Sequence, residues 1–196
     1  MDTYLFIDGE NFLYKAEDAL REAGIPKHKI DTNRLDLSSL ITEVLKGYKI
    51  AKKTFYTAKL RMFEETKEKS RMLIHKQRIL KQNLEKQGFE FLIAGNVRPQ
   101  AVTNDGKTTY VFKEKGVDVK IAVDLVSLCC DKKIDTAILC SSDSDLQPAI
   151  TEIKRRGVKV VYLGFEISPN KGLTFTCNKT ILFRNSEILK YCPPKP

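Results

Sequence analysis

Short apolar runs rich in strand-forming residues alternate with stretches of helical period along the chain. Residues 4–7 predict a buried strand. Residues 11–23 predict a helix that Gly24 closes, with Pro26 just beyond. The stretch 25–33 reads as a loop. Residues 36–46 carry Leu37, Leu40, Ile41, Val44 and Leu45 on one side of a second helix, which Gly47 ends. A strand follows at 53–58. A long helix is predicted over 64–87, with Leu73, Leu80 and Leu84 on one side and Lys67, Arg71, His75 and Arg78 roughly opposite. Gly88 stops it, and 89–93 is the next strand. Residues 97–103 and 107–112 flank Asn104-Asp105-Gly106, a strong hairpin signal. Residues 117–130 form a mostly apolar, hence buried, helix. A strand (136–140), a helix (146–156) and a strand (158–163) complete the pattern. Beyond it lie a short strand at 181–183, a helical turn at 187–191 and a Pro-rich tail expected to fray. Strands alternating with helices imply an α/β fold, a mainly parallel sheet with crossover helices on both faces and one antiparallel hairpin excursion.

The chain of 196 residues, 42% of them apolar, suits one domain over 1–170 with an extension at 171–196 packed on it. No window of 18 apolar residues occurs, which argues against a membrane helix. The N-terminus runs straight into a strand without the pattern of a signal peptide, so a cytoplasmic protein with no membrane partner is expected. Five cysteines with no CxxC pair, and only two histidines, argue against zinc. Cys129, Cys130 and Cys140 lie in apolar runs, where a reduced thiol acts as a small buried hydrophobe. The net charge of +9 is localised: residues 46–86 hold thirteen Lys or Arg against four Glu, and the rest of the chain balances. Such a window either attracts polyanions by counterion release or is a solvated helix face.

In an open parallel sheet, ligands bind at the carboxyl ends of the strands, so polar residues just after strands matter most. Asp8, Gly9 and Asn11 follow the first strand; a turn with Asn11 as helix cap is the structural alternative. Ser141-Ser142-Asp143-Ser144-Asp145 follows the strand at 136–140. One of these residues can cap the next helix, but a second carboxylate beside it is repelled unless a cation is near. Asp118 sits in the first turn of the apolar helix, where the helix dipole alone would favour it. Asp124 lies about 120° around that helix from Asp118, which suits a supporting part. If the first strand and the strand at 136–140 are neighbours, Asp8 and Asp143 meet at one edge with Asp118 close by. Several carboxylates without histidine or cysteine partners select a hard cation, Mg²⁺ or Mn²⁺.

The stretches FIDGEN at 6–11, KGVDV at 115–119, SSDSDLQP at 141–148 and RRGVKVVYLG at 155–164 together resemble the NYN domain family, the PIN-like nuclease group that includes LabA-type proteins. The resemblance implies a three-layer PIN-like, Rossmann-like fold with a sheet of about five parallel strands in the order 3-2-1-4-5. It implies a metal-dependent ribonuclease site at Asp8, Asn11, Asp118, Asp143 and Asp145, with the four aspartates binding the metal. Ser142 stands where the family commonly has Gly, and Leu146 where it often has Phe. The expected reaction is hydrolysis of RNA phosphodiester bonds, on single-stranded or structured RNA, with Lys67, Arg71, Arg78 and Lys115 contacting the polyanion. A non-catalytic RNA-binding or regulatory module explains the basic window equally well. A third reading is a Mg²⁺-dependent phosphatase of the haloacid-dehalogenase type, whose first-strand DxD is only approximated by Asp8-Gly9-Glu10. The sequence leaves a homodimer open.

Overall fold

In the computed structural model, which describes residues 2–104 and 107–195, strand β1 (Asp2–Asp8) is the middle of a mixed sheet. It leads into α1 (Gly9–Glu22), α2 (Leu37–Val44) and β2 (Ile50–Lys59). Then come α3 (Lys67–Lys86), β3 (Glu90–Asn104), β4 (Lys107–Lys115), α4 (Val117–Cys130) and β5 (Ile134–Cys140). The chain closes with α5 (Gln147–Arg155), β6 (Lys159–Phe165), α6 (Lys171–Thr176), β7 (Lys179–Phe183) and α7 (Asn185–Tyr191).

The seven strands run in the order β4-β3-β2-β1-β5-β6-β7, all parallel except the β3–β4 pair. The α/β class with a mainly parallel sheet is as expected; the order differs in detail. The run β3-β2-β1-β5-β6 keeps the anticipated 3-2-1-4-5 arrangement, and β4 and β7 add an edge on either side.

Alternation along the central strands builds two cores. Leu5, Ile7, Ile138, Cys140, Val161 and Leu163 face a layer with Phe12 and Leu20 of α1 and Leu80 and Leu84 of α3. Phe6, Tyr56, Leu139 and Val160 face the other side, against Ile121 and Leu125 of α4 and Ile150 and Ile153 of α5. Each large side chain buried this way contributes roughly 1.5–3 kcal/mol. Strand β7 is bound into the first core, because Phe183 meets Phe12 and Phe165 at ring-centroid distances of 5.8 and 5.0 Å.

Several elements differ from expectation. Residues 89–93 and 97–103 belong to one continuous strand, β3. Its first half pairs with β2 as far as Asn96 opposite Lys59; from Asn96 onward it pairs with β4 instead. The β3–β4 ribbon therefore extends past the carboxyl end of β2 and returns Glu114 and Lys115 to that edge. The strands flanking the expected hairpin are antiparallel; its Asp105-Gly106 turn lies outside the described residues. The long helix starts at Lys67, after a 3-10 turn at Glu64–Thr66. Cys129 is buried but Cys130 is exposed, since neighbouring helical positions lie about 100° apart and cannot both face the core. No helix among the described residues is long and apolar enough to cross a membrane.

Candidate active site

Strands β1 and β5 are parallel neighbours, with Ile7 opposite Cys140, so the residues that follow them meet at one edge. Asp8 ends β1 and caps α1: its Oδ1 accepts from the Asn11 backbone N–H at 3.2 Å. The cap is therefore Asp8 rather than Asn11, and helix α1 begins two residues earlier than the sequence pattern indicates. Gly9 has no room for a side chain, since a Cβ there would overlap the Phe55 ring and the Tyr56 carbonyl. Only glycine lets α1 start this close to β2.

The loop after β5 is tied to the first strand by hydrogen bonds. Ser141 Oγ donates to Asp8 Oδ2 at 3.2 Å and accepts from the Asp143 N–H at 3.1 Å. Asn11 Oδ1 accepts from both the Ser142 N–H (3.1 Å) and the Ser142 hydroxyl (2.7 Å). Asn170, before α6, donates from Nδ2 to the Ser142 carbonyl at 2.8 Å. Asp143 Oδ1 accepts from the Asp145 N–H at 2.9 Å and so turns the loop into α5.

These contacts shape a cleft of about 780 Å³ whose lining includes Asp8, Glu10, Glu114, Asp118 and Asp143. Its acids come from β1, α1, β4, α4 and the loop after β5. Asn11, Tyr14, Lys15 and Lys115 complete much of the remaining wall. Among the described residues, no lysine or arginine forms an ion pair with any of the five acids. The crowding has an electrostatic cost. Burial pushes the Asp8 carboxyl up to about 6; its hydrogen bonds to Asn11 and Ser141 oppose this, and the charges of Glu10 and Asp143 add to it. Burial also raises Glu114 far above the ordinary carboxylate range, helped by a hydrogen bond to Glu10 and by the charges of Glu10, Asp8 and Asp118. A protonated Glu114 donating to Glu10 is the arrangement that two carboxyls adopt without a cation between them.

Of the residues singled out from sequence, Asp8, Asn11, Asp118, Asp143 and Lys115 line this cleft. Asp145 does not; it is exposed and borders a separate depression with Gln147 and Thr151. Asp124 accepts from the Tyr56 hydroxyl at 3.0 Å and pairs with Lys120, which occupies its oxygens outside the cleft. Lys67, Arg71 and Arg78 lie on the exposed face of α3 and take no part in the cleft wall.

Glu10, Tyr14, Lys15 and Glu114 were not singled out from sequence. Tyr14 and Lys15 follow Asn11 by three and four residues, which puts them on one helix face. Glu114 shares the half-buried alternation of Tyr110 and Phe112 on β4, a signal missed when that strand is ended at residue 112.

A family profile described as the NYN domain matches residues 2–184, nearly the whole chain. An uncharacterized protein of Methanocaldococcus jannaschii is 39% identical over 71 residues, which are 34% of this chain and 28% of that protein. The match thus spans less than a third of that relative's length. The crystal structure of a protein of unknown function from Vibrio parahaemolyticus shares the fold, with a TM-score of 0.56 at 18% identity over 93% of this chain and 92% of that one.

Proposed function

The chain belongs to the NYN domain family, with its PIN-like nuclease fold, and from that premise we propose that it is a metal-dependent ribonuclease working from the acidic cleft. One observation carries this reading. Five carboxylates from three distant stretches of the chain, 8–10, 114–118 and 143, line one cleft, and none forms an ion pair with a lysine or arginine among the described residues. Such a set is costly to fold unless it serves a cation or a proton transfer.

The donor set fits Mg²⁺ or Mn²⁺, because it consists of oxygen ligands only. Asp8, Asp118 and Asp143 would hold the ion, with Glu10 and Glu114 facing them across the cleft. Among the described residues no group of three such side chains is already disposed to ligate one ion, so the carboxylates must close in to do so. When bound, a divalent ion polarises a phosphoryl oxygen and lowers the pKa of water.

The chain's own residues do the rest. Asn11, held by both bonds to Ser142, fixes the loop that carries Asp143 relative to Asp8. Lys15, which donates to Ser168 Oγ at 2.6 Å, and Lys115 place positive charge at the cleft wall for the substrate phosphate. Glu114, carrying a proton near neutral pH, can give it to the departing ribose oxygen, which ends its hydrogen bond to Glu10.

The test is incubation of the protein and of Asp143→Asn with labelled single-stranded RNA in Mn²⁺ or EDTA. Cleavage by the native chain in Mn²⁺ alone, abolished in the variant, supports the proposal. Salt-sensitive binding without product would instead identify a non-catalytic RNA-binding module, and turnover confined to phosphomonoesters would identify a phosphatase.

A further inference from the structure

A second cleft, of about 610 Å³, opens beside the acidic one between α1, α3 and the β3–β4 ribbon. Both clefts have Glu10, Tyr14 and Glu114 in their walls, so together they form one continuous trough. The chemistry changes along it. The first part is acidic. The second has Leu13, Leu60, Leu73, Ile79 and Phe112 in its lining, with Lys76 and Lys195 as cations and Glu17 and Asp31 as further acids at its rim. Tyr14 belongs to both parts and is 60% exposed, so a face of its ring is open to a ligand.

We propose that this second cleft seats the base of an unpaired nucleotide adjoining the scissile phosphate, so that the trough accepts single-stranded RNA. The proposal rests on the ribonuclease reading of the acidic cleft. A nucleotide joins a flat apolar ring to an anionic phosphate. The trough offers an apolar, aromatic-walled seat with Lys76 beside it, next to the centre where phosphate chemistry is assigned. Its volume lies in the range of sites that enclose small ligands. A base in a duplex must unstack and unpair to enter a side cleft, a penalty that an unpaired strand does not meet.

The test uses anisotropy of a short labelled oligoribonucleotide in EDTA, where no cleavage intervenes. The probe is compared with the same strand carrying abasic positions and with its blunt duplex. Three variants accompany the native chain: Tyr14→Ala, Tyr14→Phe and Ile79→Glu. Ile79 lines the second cleft but not the first and is 40% exposed, so its replacement should leave the melting temperature near native. The native chain should prefer the single strand to both comparison probes. Tyr14→Ala should bind it about tenfold more weakly, the scale of one lost base–aromatic stack, and Tyr14→Phe should match native. Ile79→Glu should weaken binding of the base-bearing strand more than of the abasic one. Equal affinity for all three probes, or indifference to Tyr14→Ala and Ile79→Glu, overturns the base seat. If that happens while Mn²⁺-dependent cleavage persists, only the base seat fails. If the binding pattern holds without cleavage, the ribonuclease reading fails and the cleft stands as a nucleotide-binding site.

Discussion

The Ser141 hydroxyl bridges Asp8 and the backbone of Asp143, donating to Asp8 Oδ2 at 3.2 Å and accepting from the Asp143 N–H at 3.1 Å. One buried oxygen thus fixes the distance between two acid-bearing strand ends that lie far apart in the chain. Its donated proton also partly offsets the burial of Asp8, yet the carboxyl still stands at about 6 against an ordinary 3.8. The site therefore spends stability on holding a carboxylate where it is poorly solvated.

That cost has a definite sign. The folded state holds the Asp8 proton more tightly than the unfolded state does. The stability this contributes is fully present below about pH 3.8 and is lost as pH rises through about 6. The loss is about 3 kcal/mol, at 1.36 kcal/mol per unit. Asp8→Asn keeps the shape without the charge. It should unfold at higher urea than native at about pH 8, with the gap closing towards about pH 4. A midpoint difference that is the same at both values would show that burial is not what burdens Asp8.

A divalent ion should reverse the same cost. Binding requires Asp8 to be ionised, so affinity should climb as pH rises through about 6, and below that pH a proton should be released on binding. Mn²⁺ at about 100 times its Kd should raise unfolding stability by about 2.7 kcal/mol. EDTA should remove that gain, and Asp143→Asn should lose most of it. Calorimetric titration in two buffers of different ionisation enthalpy counts the protons; a pH-independent affinity would contradict the assignment.

How far these features were legible from sequence follows physical lines. Strands β1, β5 and β6 are buried on both faces, so they read as plain apolar runs, and the acids that follow β1 and β5 stand out. Helix α4 was bounded correctly because its apolar stretch begins just after Gly116 and ends at Asp131. Strand β3 was split because Gly95, at a φ of +72, breaks the alternation where the partner strand changes from β2 to β4. Glu114 continues the alternation of Tyr110 and Phe112, but its place beside Glu10 depends on how far the ribbon runs before turning back, which that alternation does not tell. Asp145 looked equivalent to Asp143 in the local string. Asp143 caps the 3-10 turn at Ser144–Leu146 and lines the cleft, whereas Asp145 lies within that turn and is exposed, a distinction that periodicity does not carry.

Asn11 and Ser142 offer a way to separate positioning from ligation. The Ser142 N–H bond to Asn11 survives replacement of the serine side chain, whereas the hydroxyl bond at 2.7 Å does not. Ser142→Gly should therefore cost only a few fold in turnover, and Asn11→Ala, which removes both bonds, at least about tenfold more, with KM for RNA little changed. Equal effects of the two variants would show that the hydroxyl, not the backbone contact, holds the loop.

The C-terminal segment should matter for folding. Phe183 is fully buried and packs on Phe12 and Phe165, so Phe183→Ala leaves a cavity next to α1, the helix that Asp8 caps. The expected cost is about 3–5 kcal/mol in chemical denaturation. Residual activity per folded molecule should stay near native, because no cleft residue is removed. A cost below about 1 kcal/mol would mean that β7 is not an integral strand.

The exposed face of α3 remains to be tied to substrate or set aside. Lys67 and Arg71 pair with Glu64 and Glu68 at 3.5 and 3.4 Å, but all four side chains are more than half exposed, so these pairs constrain them weakly. If Lys67, Arg71 and Arg78 each neutralise a phosphate, replacing all three with alanine should reduce the slope of log K against log salt by about 2, at roughly 0.7 per contact on a single strand. The melting temperature should hardly move, since the three are solvent-facing helix positions. An unchanged slope would assign this basic stripe to solvation alone and leave RNA placement to Lys15, Lys115 and Lys76 in the trough.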